Sequence, residues 1–282
     1  MGDSDALLQT SQLVCSRNSL QVGVQINSLV SSGLDPFSGR IDTSYCSRYR
    51  GRDGLVWYEV SRRADYCGTV LTTNSTHAIY SNSLLLFSAN NYSSDIPEII
   101  PFSCAYPLET NASLNTLIIP QQNESGLSGS GTKATAYMNL YRDARFYRRY
   151  SSGWVILPKG SALHVEVSSD ERDYSFVVVL ERCYTTHSSS PDDAVRDTFI
   201  LSRCPTDPQH VRIVQNGISL HARFSAFSVQ SDSRFIFLHC ELSLCDARNN
   251  ICVPSCGDRI PRSVPDSAQL DLLSIGPIAW DK

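Results

Sequence analysis

The sequence predicts an all-β protein made of two sandwich domains joined by an unusual linker, and three observations carry that expectation. Runs with period-two alternation recur along the chain, turn residues punctuate them, and ten cysteines are spread in a way that suits disulfides. Tyrosine (13) and serine are plentiful while methionine (2) is scarce, which with the many β-branched residues and short polar interruptions argues against a helical bundle. At 282 residues, each of two domains is long enough to bury its own core.

In the first half, Leu20-Gln-Val-Gly-Val-Gln-Ile26 alternates strictly and Leu55-Val-Trp-Tyr-Glu-Val60 is aromatic and β-branched. Ala78 to Phe87 and Ile99 to Tyr106 are further strands, with turns at Gly51-Arg-Asp-Gly54 and Asn90-Asn91. Ser125 to Gly131 is a flexible linker by composition, yet the preceding Leu114-Asn-Thr-Leu-Ile-Ile119 is too apolar for an ordinary one. In the second half, Thr135 to Tyr141 opens the strands. Leu163, Val165 and Val167 share one face, with His164 and Glu166 on the other. Phe176 to Cys183 is almost continuously apolar, as a central strand is, and Asn216-Gly217 is the strongest hairpin signal. Ile236, Leu238, Cys240, Leu242 and Leu244 point one way and place Cys240 in the core, as an inter-sheet disulfide requires.

Charge excludes little: 24 basic against 28 acidic residues, a net of -4, point to neither nucleic acid nor an acidic membrane surface as partner. The even cysteine count, beside the sequons at Asn74, Asn91, Asn111 and Asn123, argues for the secretory pathway, disulfides and an extracellular location. Taken alone, Cys240, Cys245, Cys252 and Cys256 could form a zinc shell, but the secretory signs favour disulfides. No signal-peptide core follows Met1 and no apolar run is long enough to span a bilayer. The expectation is therefore a fragment of a longer secreted precursor, with any anchor beyond Lys282. Scattered histidines and the lack of H-E-x-x-H, G-x-S-x-G or phosphate-binding motifs predict no enzyme, catalytic residue, metal or cofactor. His239 reads as structural. The run Tyr141-Arg-Asp-Ala-Arg-Phe-Tyr-Arg-Arg-Tyr150 interleaves basic and aromatic residues; it reads as a solvated loop, or as a contact patch for acidic glycans or a neighbouring subunit.

After the last cysteine comes Arg259-Ile-Pro-Arg262-Ser263, an R-x-x-R sequence suited to a furin-like or trypsin-like protease. Pro261, where furin favours a basic residue, leaves the trypsin-like enzyme at least as suitable. Then comes the apolar run Leu270 to Ala279, whose Leu272, Leu273, Ile275 and Ile278 demand burial against the fold, a membrane or a partner.

Phe102-Ser-Cys-Ala-Tyr106 resembles the F-x-C-x-Y signature closing the N-terminal half of a zona pellucida (ZP) module, and four cysteines up to that point suit such a half. Cys183-x20-Cys204 and Cys240-x4-Cys245-x6-Cys252-x3-Cys256 resemble the six-cysteine C-terminal half of the uromodulin-like branch, as do Ser202-Arg-Cys-Pro205, Leu238-His-Cys-Glu241 and Ile275-Gly-Pro-Ile278. The resemblance implies two immunoglobulin-like sandwiches, ZP-N over 10–107 and ZP-C over 134–258. The linker is then 108–133, and 259–282 holds the cleavage site and an external hydrophobic patch. It also implies the bridges Cys15 to Cys104, Cys46 to Cys67, Cys183 to Cys240, Cys204 to Cys256 and Cys245 to Cys252. In such modules the external patch, here Leu272, Leu273, Ile275, Pro277 and Ile278, blocks assembly until cleavage; Leu114, Leu117, Ile118 and Ile119 are the internal-patch candidate. The implied function is a secreted or shed glycoprotein that polymerises, with itself or related ZP proteins, once a protease cuts at Arg262. Pro277 suits an edge strand. The alternatives are a receptor or co-receptor ectodomain that never polymerises, and a decoy displaying glycans to microbes or cell surfaces.

Overall fold

The computed structural model describes residues 3–42, 46–89, 96–108, 126–151, 153–227, 229, 234–257 and 268–281, and the chain divides into two compact units, Met1–Pro107 with Asn111–Lys133, and Leu108–Thr110 with Ala134–Lys282. In the first unit, α1 (Asp3–Thr10) precedes β1 (Gln12–Cys15) and β2 (Ser19–Gln25), and α2 (Ile26–Ser31) follows. Then come β3 (Arg40–Ile41), β4 (Arg48–Arg52), β5 (Leu55–Ser61), β6 (Val70–Thr73), β7 (His77–Leu86), β8 (Glu98–Pro107) and β9 (Leu127–Ser130). One sheet has the order β1-β2-β5-β4, the other β3-β7-β8-β9 with β6 also on β7. Alternation in β2 and β5 buries Leu20, Val22, Val24, Val56, Tyr58 and Val60. The two short helices have no forerunner in the sequence pattern; each is too brief to show a helical period.

Period two also explains the F-x-C-x-Y run. Phe102, Cys104 and Tyr106 share the inward face of β8 and are all buried. Cys104 crosses to Cys15 on β1 in the other sheet, and the Tyr106 hydroxyl donates to the Ser16 carbonyl at 2.7 Å. Buried Arg62 stacks its guanidinium on the Tyr80 and Tyr106 rings, and Cys46 is bonded to Cys67. The Gly/Ser run expected to be a flexible linker is instead partly strand: β9 pairs parallel with β8, Phe102 opposite Leu127 through Ala105 opposite Ser130. Small residues allow this close approach, since a Cβ at Gly129 would lie 2.8 Å from the Cys15 sulfur.

The second unit contains β10 (Ala136–Tyr141), β11 (Val155–Leu157), β12 (Leu163–Ser169), β13 (Phe176–Thr186) and β14 (Arg196–Leu201). It continues with β15 (Cys204–Pro205), β16 (Val211–Gln215), β17 (His221–Ala226), β18 (Ile236–Asp246) and β19 (Ala268–Trp280). A four-stranded sheet, β10-β12-β17-β16, accompanies a six-stranded one, β11-β19-β18-β13-β14-β15. Leu163, Val165, Val167, Ala222 and Phe224 are fully buried on the first; Val178, Leu180, Leu238, Cys240 and Leu242 on the second.

Two sequence expectations are corrected here. Cys183 and Cys240 are direct partners on adjacent strands of one sheet, so their bond is a cross-strand bridge within that sheet rather than between sheets. A core-facing cysteine satisfies either geometry, and alternation alone does not distinguish them. Asn216-Gly217 does lie between paired strands β16 and β17, but the connection runs from Asn216 to Leu220, not through a two-residue turn. Asn216 is buried, and its side-chain oxygen accepts the Leu180 N–H at 2.8 Å where β13 bulges. Gly217 donates to the Val178 carbonyl and Ser219 accepts from the Val178 N–H. The loop thus satisfies backbone groups of β13 that no neighbouring strand reaches.

Candidate functional site

The apolar C-terminal run becomes β19, an added strand in the larger sheet. It is antiparallel to β18, with Leu272 opposite Glu241, Leu273 opposite Cys240, Ser274 opposite His239, Ile275 opposite Leu238 and Ile278 opposite Ile236. Gly276 and Pro277 therefore face Phe237 alone. This extra residue is a β-bulge, and it resets the alternation so that Ile278, not Pro277, follows Leu273 and Ile275 onto the core face. Ile278 is fully buried, Leu273 and Ile275 are half-buried, and Leu272, on the opposite face, is 41% exposed. Of the four aliphatic residues expected to need burial, Leu272 is the one the register leaves outside.

Pro277 lies just before the point where a second strand joins β19. At its C-terminal end β19 has neighbours on both sides: β11 runs parallel to it, Val155 opposite Ile278, Ile156 opposite Ala279 and Leu157 opposite Trp280. The proline sits in the bulge, one residue before the pairing with β11 begins at Ile278, so it takes no position between two paired strands. A Cβ at Gly276 would stand 2.6 Å from the Phe237 ring and 3.1 Å from the Ile236 carbonyl oxygen, so glycine is required for this approach. The end of the strand is fastened by Trp280 Nε1 donating to the Ser161 carbonyl (3.2 Å) and the Asp281 N–H donating to the Leu157 carbonyl (2.8 Å). β11 had no sequence signal of its own, because three residues are too few for alternation to register.

On the other face a polar chain ties three strands together. Fully buried His239 on β18 lies 2.7 Å through Nε2 from Thr186 Oγ1 on β13, and 2.6 Å through Nδ1 from Ser274 Oγ on β19. Thr186 spends its hydroxyl proton on the Ser188 carbonyl at 2.7 Å. Its oxygen must then accept from Nε2–H, leaving Nδ1 as the acceptor of the Ser274 proton. Burial holds the His239 pKa below its ordinary value, and nearby Arg196 lowers it further. The Tyr184 ring packs against the imidazole at 5.2 Å between centroids. Sequence reasoning assigned His239 a structural part but missed the partnership with Ser274; the residues lie 35 positions apart.

The structure brings the ten cysteines into five pairs, the remaining two being Cys204–Cys256 and Cys245–Cys252. The latter packs with Val177 and Val179 on the outer side of the larger sheet. Two family models match the chain: the ZP-N domain over residues 15–107 and the ZP-C domain over 130–257.

The chain belongs to the zona pellucida module family.

It is 34% identical to rat (Rattus norvegicus) uromodulin over 98% of its own length and 44% of that protein's. It is 35% identical to the mouse (Mus musculus) pancreatic secretory granule membrane major glycoprotein GP2 over 76% of its length and 41% of that protein's. To mouse alpha-tectorin it is 28% identical over 95% of its length and 13% of that protein's. The chain thus spans less than half the length of these relatives. Both ZP domains are immunoglobulin-like all-β folds, and the module is extracellular and disulfide-bonded. No helix among the described residues is long and apolar enough to cross a membrane.

β19 is the strand that the sequence marked as a blocking segment, and it docks on the ZP-C sheet. Arg259, Arg262 and Ser263 lie outside the described residues, as do the internal-patch candidates Leu114, Leu117, Ile118 and Ile119 and the sequons Asn91, Asn111 and Asn123. Asn74 is exposed in the turn between β6 and β7, where its side-chain oxygen accepts from the Thr76 and His77 N–H groups.

Proposed function

We propose that this chain is the assembly unit of a secreted or shed structural glycoprotein, held inactive by β19 and released for filament formation by cleavage at Arg262. The supporting observation is that β19 pairs with β18 from Ala268 to Ile278 and with β11 over Ile278–Trp280, yet no disulfide lies beyond Cys256. Cutting after Arg262 would leave β19 held by non-covalent contacts alone and abolish a tether that keeps it at an effective concentration on the order of millimolar. One fully buried and two half-buried aliphatic side chains contribute roughly 3–6 kcal/mol gross, less than four full burials would. A strand from another molecule, for which Leu114–Ile119 is the candidate, then replaces β19. A head-to-tail contact of this kind repeats without closing. The protein is in this reading not an enzyme; its partners are copies of itself or related ZP proteins and the processing protease.

The test is to treat the wild-type chain and Arg262→Ala with a trypsin-like protease, then image both by negative-stain electron microscopy. Filaments are expected from the wild type alone. Equal polymer from both would remove cleavage as the trigger, and a persistent monomer after complete cleavage would favour a ligand-binding ectodomain.

A further inference from the structure

The connection after β10 carries four arginines and one aspartate between Arg142 and Tyr150, a net of +3 in a chain whose overall charge is -4. It is a solvated loop, as expected, with only Phe146 buried, and it is internally braced. The Asp143 carboxylate accepts the N–H groups of Arg145 (3.0 Å) and Arg148 (3.2 Å), and the Phe146 N–H donates to the Asp143 carbonyl. Arg142 N–H donates to the Arg148 carbonyl and Tyr150 N–H to the Leu140 carbonyl, at 2.8 and 2.9 Å. Phe146, at φ +60°, turns its ring down onto the four-stranded sheet and is buried against Tyr141, His164 and the Arg223 guanidinium.

This anchoring determines what faces outward. Arg142, Arg145, Arg148 and Arg149 are all exposed. Arg142 lies flat on Tyr150 at 4.5 Å and Arg149 reaches the Asn139 side-chain oxygen at 3.4 Å, which limits their freedom. The loop's one carboxylate is turned into its own backbone and also lies 4.0 Å from Arg148 Nε. The Tyr147 ring is 79% exposed, between buried Phe146 and exposed Arg148 in the chain.

We propose that this loop is a binding site for a sulfated polysaccharide. The guanidinium fork matches the paired oxygens of sulfate and carboxylate groups. Four exposed arginines within eight residues offer more positive charge than one small anion takes up, which suits a chain of repeating charges. Tyr147 offers a flat apolar face of the kind a sugar ring covers. The compartment argues the same way, because the module is extracellular, where sulfated chains are the abundant polyanions and nucleic acid is not. Holding the arginines in place beforehand lowers the ordering cost of binding. The site needs no cleavage and no filament, so it stands independently of the assembly proposed above.

The test uses the uncleaved full chain on immobilised heparin at about 0.15 M salt, where exposed charges are screened beyond roughly 8 Å. Chemically desulfated heparin and polyglutamate are the comparison surfaces. The triple variant Arg145→Gln/Arg148→Gln/Arg149→Gln is compared with a charge-matched control on the other unit, Arg48→Gln/Arg50→Gln/Arg52→Gln. Unfolding midpoints of both variants confirm that each remains folded. The loop variant is expected to lose about 3- to 150-fold in affinity, from three exposed ion pairs, and the control less than about twofold by the same reasoning, its charges lying outside the site. Desulfation should abolish binding. The proposal fails if the wild type does not bind heparin, if both variants lose affinity equally, or if polyglutamate binds as tightly as heparin, which would make the loop a site for acidic protein.

Discussion

Ile278→Ala tests how β19 is held, because Ile278 is the one described side chain of the strand that is fully buried, flanked by Ile236 on β18 and Val155 on β11. Removing its three outer carbons deletes their contacts and leaves a cavity in a site closed on both sides, a change that costs about 2–5 kcal/mol. Leu272, 41% exposed on the opposite face, should cost under about 1 kcal/mol when cut to alanine, since most of its surface stays in water whether the strand is docked or free. At about 1.4 kcal/mol per tenfold, Ile278→Ala should weaken retention of the severed strand about 30- to 4,000-fold, and Leu272→Ala less than about fivefold. The assay is chain cleavage after Arg262 followed by the time course of peptide loss on size-exclusion chromatography, with the intact variants checked for equal folding beforehand. If the two variants release the peptide at the same rate, the register and the bulge that sets it are not what retains the strand.

Retention should also depend on pH through His239, whose pKa is lowered in the docked state: above about 6.5 both docked and free states are neutral. As pH falls below that, the free state takes up the proton first and release is favoured, by no more than about 1.4 kcal/mol per pH unit for one proton; His239→Gln should flatten this dependence in the peptide-loss assay. Gly276→Ala should hasten release, because its Cβ would collide with Phe237, and adding Phe237→Ala should recover part of the loss, a coupling read from the double-mutant cycle. Asn74, exposed in its turn, should carry a glycan, so Asn74→Gln should lower the mass of the secreted protein by one glycan.

Long alternating runs were legible in the sequence because a sheet with one buried face writes its period directly into side-chain polarity. β2, β5, β12 and the core face of β18 follow that rule. Where the backbone departs from a plain ladder, the signal fails for a physical reason. Asn216 looks like a turn residue, but it is buried because β14 pairs with β13 only from Cys183 on, leaving the Leu180 N–H on that side to be met by a side-chain acceptor. Leu127–Ser130 looks like free linker, since glycine and serine carry no β signal, yet small residues are what a strand packed against a disulfide sulfur demands.

The candidate site divides along the same line. The apolar tail announced a need for burial, but residue type could not say which of its side chains would be covered. A period-two reading places Leu273, Ile275 and Pro277 together and leaves Ile278 outside; the bulge opposite Phe237 reverses the last step. That reversal puts the largest aliphatic contact at the point where β11 joins. It also leaves Gly276 under an aromatic ring, a contact that excludes side chains from an incoming strand at that position. The candidate Leu114–Ile119 contains no glycine, so if it replaces β19 it must do so without reproducing this bulge, or Phe237 must move aside. Exchange is then a change of register as well as of strand, and the two docked states need not bury the same side chains or have the same affinity. A groove that holds its own tail through one deep residue, one polar link and one tight glycine is thus specific for the tail in its bulged register, while its main-chain ladder remains open to any strand.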